Sequence, residues 1–242
     1  MTTQVDTLPT HAQLQAALRE AQQSKNGGLG NHMWATVVDR TGTVISIAYT
    51  GRELGDQWPG SRLISAEKAN TANAFSLDGL VLSTANLYSA VQPGGTLFGL
   101  VASNPLNHDP AYGGEPSDYG TPNDPLVGQR VGGVNVFGGG LALYDESGHI
   151  VGGLGVSGDL SCADHNIAWK VRHALELDWI PVGVDPVIQK GRPADDNIVY
   201  DLGSPTGPLS DKSASGWGHP SCGDATTAVA KSLPVDYPPR HH

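Results

Sequence analysis

Most of the features that would assign this chain at a glance are missing from it. Two cysteines in 242 residues are too few to frame a disulfide-rich mini-domain. Lys and Arg total 14 against 24 Asp and Glu, and the formal charge of -10 excludes a nucleic-acid partner, because counterion release needs clustered basic residues. No apolar run approaches the ~20 residues of a membrane span, so membrane insertion is not expected. The opening MTTQVDTLPTHAQLQ lacks the basic and then apolar order of a signal peptide. Read as written, the chain is expected in the cytoplasm. If Met1 stands where a signal was cleaved, it is periplasmic or secreted, and the two cysteines then read as a bridge.

Apolar residues, at 38%, are also scarce, and the deficit is local. Glycine (32) and proline (17) concentrate in residues 92–140 and 181–242. That leaves ~150 residues to pack a core, which is an adequate size. What remains is well patterned. Thr10 caps a helix in which Leu14, Ala17, Leu18 and Ala21 form one apolar stripe. MWATVVDRTGTVISIAYT reads as two strands about a turn ending at Gly42, and LALYDESGHIVGGLGV repeats the pattern about Gly148. Two such hairpins predict an antiparallel sheet. Between them, SRLISAEKANTANAF, capped by Ser61, and LVLSTANLYSAV, closed by Gln92-Pro93-Gly94-Gly95, read as helices. Residues 101–134 read as an ordered loop insertion, of a length that usually serves a site or an interface. Another helix is expected from Ser161 to about Leu177. After Pro181 only NIVYD reads as strand, and the rest as irregular surface chain.

Lys68 occupies a position that demands an explanation. On a helix, Ile64, Lys68, Thr71 and Phe75 share a stripe, so the lysine snorkels, pairs with a carboxylate, or faces a cavity that holds an anion. In the last case it binds a carboxylate or serves as acid or base. GLGVSG, Gly153 to Gly158, satisfies G-x-G-x-x-G, with Asp178 about twenty residues on. Its strand belongs to a hairpin and not to a βαβ unit, so the glycines are expected to let the sheet approach a helix or ligand closely. SCAD fits a capping box, with Ser161 as cap and Asp164 reaching back. The absence of C-x-x-C-H excludes covalent haem attachment, and His32, His108, His149, His165, His173 and His219 are equal candidates for an axial ligand. Cys162-x-x-His165 and His219-x-x-Cys222 mirror each other. Together the four suit tetrahedral zinc; as a disulfide the cysteines tie the tail to the domain; as free thiols they do neither. All three readings stay open.

In order along the chain, TVVDRTGTVISIAY, ISAEKANTANAF, VQPGGTLFGL, VFGGGLALYDESGHIVGGLGVSG and CADHNIAW resemble the GlcG/HbpS-like family of haem-binding or haem-degrading proteins. The resemblance covers roughly residues 10–178, the insertion apart. It implies an α+β fold whose antiparallel sheet of about five strands is flanked by helices. One domain at 8–184 is expected, with 185–242 as a C-terminal extension packed on it. The resemblance further implies a homo-oligomer and a pocket beside the Lys68 helix and the glycine-rich loops. Its expected lining is Trp58, Arg62, Lys68, Gln92, Gly94, Gly95, Gly138, Gly139 and Gly140, with Lys68 and Asp164 as the pair that carries chemistry. The implied ligand is haem or a similar anionic tetrapyrrole or small molecule. Two readings compete: an enzyme acting on a small organic substrate with Lys68 as acid, base or anion clamp, and an assembly protein whose insertion and tail build subunit contacts.

Overall fold

The computed structural model describes residues 7–185, 193–202 and 213–240. Its centre is a four-stranded antiparallel sheet made of β1 (Trp34–Asp39), β2 (Val44–Tyr49), β3 (Gly140–Tyr144) and β4 (Ile150–Ser157), in the order β2-β1-β4-β3. The fold is α+β as expected, with four strands among the described residues where about five were expected. Both hairpins close by the same device. Asp39 Oδ1 accepts from the Thr41 and Thr43 N–H groups, Asp145 Oδ1 accepts from those of Ser147 and His149, and Gly42 and Gly148 take the left-handed φ each turn needs. The two hairpins join along β1 and β4, where Trp34 stands opposite Ser157 and Asp39 opposite Gly152.

Helices cover both faces. α1 (His11–Gln23), α5 (Ser161–Ala174) and α6 (Asp224–Asp236) pack on one side, where Leu14, Leu18, Val37, Leu154, Val156, Ile167, Val171 and Leu233 form the main core. α2 (Ser61–Ala74) lies on the other side, across β4, β1 and β3. Strand alternation sorts the residues: Ala35 and Val37 face the first core, while Trp34 and Val38 face a second with Ala66, Ala69, Leu126 and Val131. Leu126 and Val131 come from the insertion, which therefore lies against the sheet as part of the core wall.

Several local expectations need correction. The helix expected over residues 80–91 is only α3 (Tyr88–Val91), and the insertion holds the equally short α4 (His108–Ala111). Upstream of α3, polar side chains take the backbone instead: Ser76 Oγ accepts from the Leu82 N–H, Asn86 Oδ1 accepts from that of Ser83, and the Thr84 N–H donates to Gly140 O. The NIVYD segment forms an isolated bridge, Val199 with Gly218, and not a strand. The tail expected to be irregular carries α6, whose Val229, Ala230 and Leu233 are buried. Neither Ser61 nor Ser161 is a cap; each is the first helical residue, after Gly60 and Leu160. Thr10 and Gln13 do form a capping box.

Candidate functional site

The site begins with two glycines of β4 that carry no side chain toward α2. A Cβ at Gly153 would strike the Ala69 carbonyl, and one at Gly155 the Ser65 carbonyl. Their absence lets α2 lie directly on the sheet, as the glycine pattern of the sequence suggested. Lys68 projects from the buried side of that helix and is 1% exposed. Its Nζ donates to Asp164 Oδ2 at 2.7 Å and to Val156 O at 3.1 Å. An ammonium carries three protons, so one has no acceptor in hydrogen-bonding distance among the described residues.

Asp164 lies in the first turn of α5, where negative charge suits the free N–H groups and the helix dipole. It does not close a capping box on Ser161: Oδ1 accepts the Asp159 N–H at 2.8 Å and Oδ2 is committed to Lys68. Burial pushes its carboxyl up to about 6, against the opposing pull of Lys68. Asp159 anchors the same corner by accepting from the N–H groups of Leu29, Gly30 and Asn31.

The Gly138–Gly140 loop lies over this pair. A Cβ on Gly139 would be 2.9 Å from Asp164 Cβ and 3.1 Å from Lys68 Nζ, and one on Gly138 would be 3.1 Å from His165 Cβ. Gly140 is held by Thr84, whose Oγ1 accepts its N–H at 2.9 Å. His165 follows Asp164 on α5 and is wholly buried; neither ring nitrogen makes a hydrogen bond of ordinary geometry among the described residues, with the Asn197 side chain as polar neighbour. Burial lowers its pKa to about 3, so the ring is neutral. His219 approaches from the tail: Nδ1 lies 2.7 Å from Pro220 O, Nε2 accepts the Gly138 N–H at 3.4 Å, and the ring packs on Tyr88 at 5.2 Å.

Cys162 and Cys222 are joined as a disulfide. Of the readings left open by their spacing, this is the one the structure takes. The zinc arrangement of Cys162, His165, His219 and Cys222 is corrected accordingly: both sulfurs are spent on each other, and the described residues hold no cluster of His, Cys, Asp or Glu arranged to grip a metal.

Lys68, Asp164, Gly138, Gly139 and Gly140 thus lie side by side in the structure. Gln92, Gly94 and Gly95 form the turn after α3, where Gln92 Nε2 donates to the Tyr88 carbonyl, and no hydrogen bond among the described residues joins them to Lys68 or Asp164. Arg62 faces elsewhere: it is buried, paired bidentately with Asp124, bonded to Ala111 O and stacked on Tyr119, so it fastens the insertion to α2. Trp58 is 51% exposed, and its carbonyl accepts from Trp34 Nε1. Of the other histidines, His32 bonds Thr50, His149 bonds Asp78, and His173 bonds Asp178. His108 is exposed on α4. Tyr88, Thr84 and Asp159 were not anticipated; only their places beside glycine-rich turns hinted at them.

The family model described as "Haem degrading protein HbpS-like" matches residues 9–172. Among solved structures, a PduOC:haem complex is 27% identical, covering 69% of this chain and 94% of the other, with a TM-score of 0.47. Protein ORFY of Klebsiella pneumoniae is 24% identical over 68% of this chain and 87% of its own, at 0.46. HbpS is 16% identical over 69% and 85%, at 0.42. A search of curated proteins returned no match. With the family model spanning more than half of its length, the chain belongs to the HbpS-like family of haem-degrading proteins.

Proposed function

We infer that this protein binds haem or a similar anionic organic ligand at the Lys68–Asp164–His165 centre, as a homo-oligomer. The observation that carries this reading is His165, a fully buried neutral imidazole whose two nitrogens make no hydrogen bond among the described residues, one position along α5 from the carboxylate that accepts from Lys68. Buried polar atoms are ordinarily satisfied, so an orphaned imidazole beside a lysine with an uncommitted proton points to something that completes both. The donor set fits the ligand class. Lys68 offers a proton to a carboxylate oxygen, the Gly138–Gly140 backbone permits close approach, and His165 offers a nitrogen lone pair. Haem, when bound, supplies a redox-active iron and two propionate carboxylates. Asp164 holds Lys68 in place and balances its charge, and the glycine loop excludes water.

Titration with haemin, followed by absorbance, tests this. Wild type should give a saturable spectral change, and His165→Leu and Lys68→Met, each confirmed folded, should weaken it. A spectrum unchanged from free haemin in wild type would refute the reading.

A second reading is favoured by one observation. A carboxyl held at about 6 and bonded to a lysine can exchange a proton near neutral pH, which suits acid–base work on a small organic substrate. Asp164→Asn would abolish such turnover, and turnover retained by the folded variant would refute this reading. The disulfide supports an oxidising compartment for the protein, and thiol counting on denatured, unreduced material is expected to find no free thiol.

A further inference from the structure

Between Gly216 and Gly223 the chain crosses the outer side of the candidate site as the short segment Trp217 to Cys222. Both glycines have positive φ, 85° and 122°, and open space where a Cβ would stand. Upstream, Asp201 fixes the chain by accepting from Ser213 Oγ and the Ser215 N–H, each at 2.6 Å. Downstream, Val229 and Leu233 root α6 in the main core. The crossing itself is held by hydrogen bonds and by burial of Gly218 and His219, with the Trp217 and Gly218 N–H groups donating to Ser215 Oγ and Ser213 Oγ. Ser89 donates twice to Gly218 O, His219 N–H donates to Val199 O, and the Gly138 N–H makes its long bond to His219 Nε2. Its strongest tie is the bond from Cys222 to Cys162. Beneath it lie the His165 ring nitrogens and the Tyr200 hydroxyl, buried and with no hydrogen bond of ordinary geometry among the described residues, Asn197 and Thr227 being their polar neighbours. Two anchored ends, two hinge glycines, one covalent tie and orphaned polar groups underneath describe a closure that opens by losing the tie.

We propose that Trp217–Cys222 is a latch whose thiol–disulfide state controls access to the Lys68–Asp164–His165 centre, closed as the disulfide and open as the dithiol. The proposal rests on the reading of that centre as a ligand site. Cys222 is half-buried between exposed Ser221 and Gly223, so an external dithiol can reach its Sγ. The attacking thiolate forms a mixed disulfide with Cys222 while Cys162 leaves as a thiolate and takes up a proton. The second thiol of the reductant then releases Cys222. Two electrons and two protons pass to the cystine, and the dithiol becomes a disulfide.

Two readouts separate the latch from its ligand. Amide hydrogen exchange on the full wild-type chain, with and without dithiothreitol, should show exchange at Gly138 and across 217–222 quickened in the reduced protein by clearly more than at β1 and β4, which follow only the global stability. Haemin uptake should be about tenfold faster in Cys162→Ala/Cys222→Ser than in oxidised wild type, with no reductant present, as when an open fraction rises from about a tenth to near one. Faster local exchange with haemin bound by neither protein keeps the latch and removes the ligand reading. Equal uptake by two proteins that both bind overturns the latch. So does exchange unchanged by reduction, and so does exchange that rises at β1 and β4 as much as at Gly138 and 217–222, which would make the bond a global staple and nothing more. The wild-type exchange arm decides the matter should the double variant fail to fold.

Discussion

Lys68 and Asp164 give opposite results when removed singly and together. Taking away one partner of a buried pair leaves the other uncompensated, so Lys68→Met should cost about 3–5 kcal/mol in urea unfolding near neutral pH, while Lys68→Met/Asp164→Leu should recover most of it. Asp164, raised to about 6 chiefly by burial, stabilises most below the usual carboxylate range, and that contribution is lost as pH rises through about 6. The Lys68→Met deficit should therefore shrink when Asp164 is protonated, at about pH 5. His219 acts in the opposite sense. Burial holds its pKa down to about 4, with Lys68 pushing the same way and the Pro220 carbonyl opposing. As pH falls below the ordinary histidine value of about 6.5 the unfolded chain takes up the proton first, so stability is full above that value and lost toward about 4. His219→Gln should lose less stability than wild type over that range; parallel pH profiles would remove His219 from the acid limb.

At the scale of elements, the closest contact is α2 on β4. Gly155→Ala places a methyl against the Ser65 carbonyl, so the helix must lift or the strand bend, at about 1–3 kcal/mol. Gly79→Ala, with open space around its Cβ, should leave the thermal midpoint nearly unchanged and serves as the control. Elements whose cause is local were legible in the sequence: the hairpins, from an aspartate and a glycine bracketing each turn between alternating apolar residues, and α1, from its cap and stripe. The Lys68 stripe likewise marked α2 and placed the lysine inward. What could not be read depended on distant chain. Arg62 seemed to belong to the pocket wall because its partner Asp124 lies 62 positions away, and the orphaned state of His165 depends on a tail segment approaching from beyond residue 212. The stretch before α3 has helical composition, but Ser76, Ser83 and Asn86 spend their side chains on the backbone. α6 was hidden by Pro234 within a glycine- and proline-rich tail.

For the whole molecule, insertion and tail each supply core residues and are each also tied to the domain by a buried contact that can be cut. Arg62→Met should leave Asp124 buried and unpaired, and limited proteolysis should then cleave within 101–134 sooner than in wild type. The disulfide spans 60 positions, and by loop entropy its loss should lower stability by about 4 kcal/mol, seen as a lower urea midpoint for Cys162→Ala/Cys222→Ser. The strand order has a consequence in time. β1 lies inside the sheet, yet its inner edge is completed only by β4, with Trp34 opposite Ser157. On a ribosome adding about 5–20 residues per second, the first hairpin waits on the order of ten seconds for that partner. Throughout the wait, one row of its backbone N–H and C=O groups is open to any strand that passes, which makes the birth of this chain, more than its mature life, the moment when a chaperone matters.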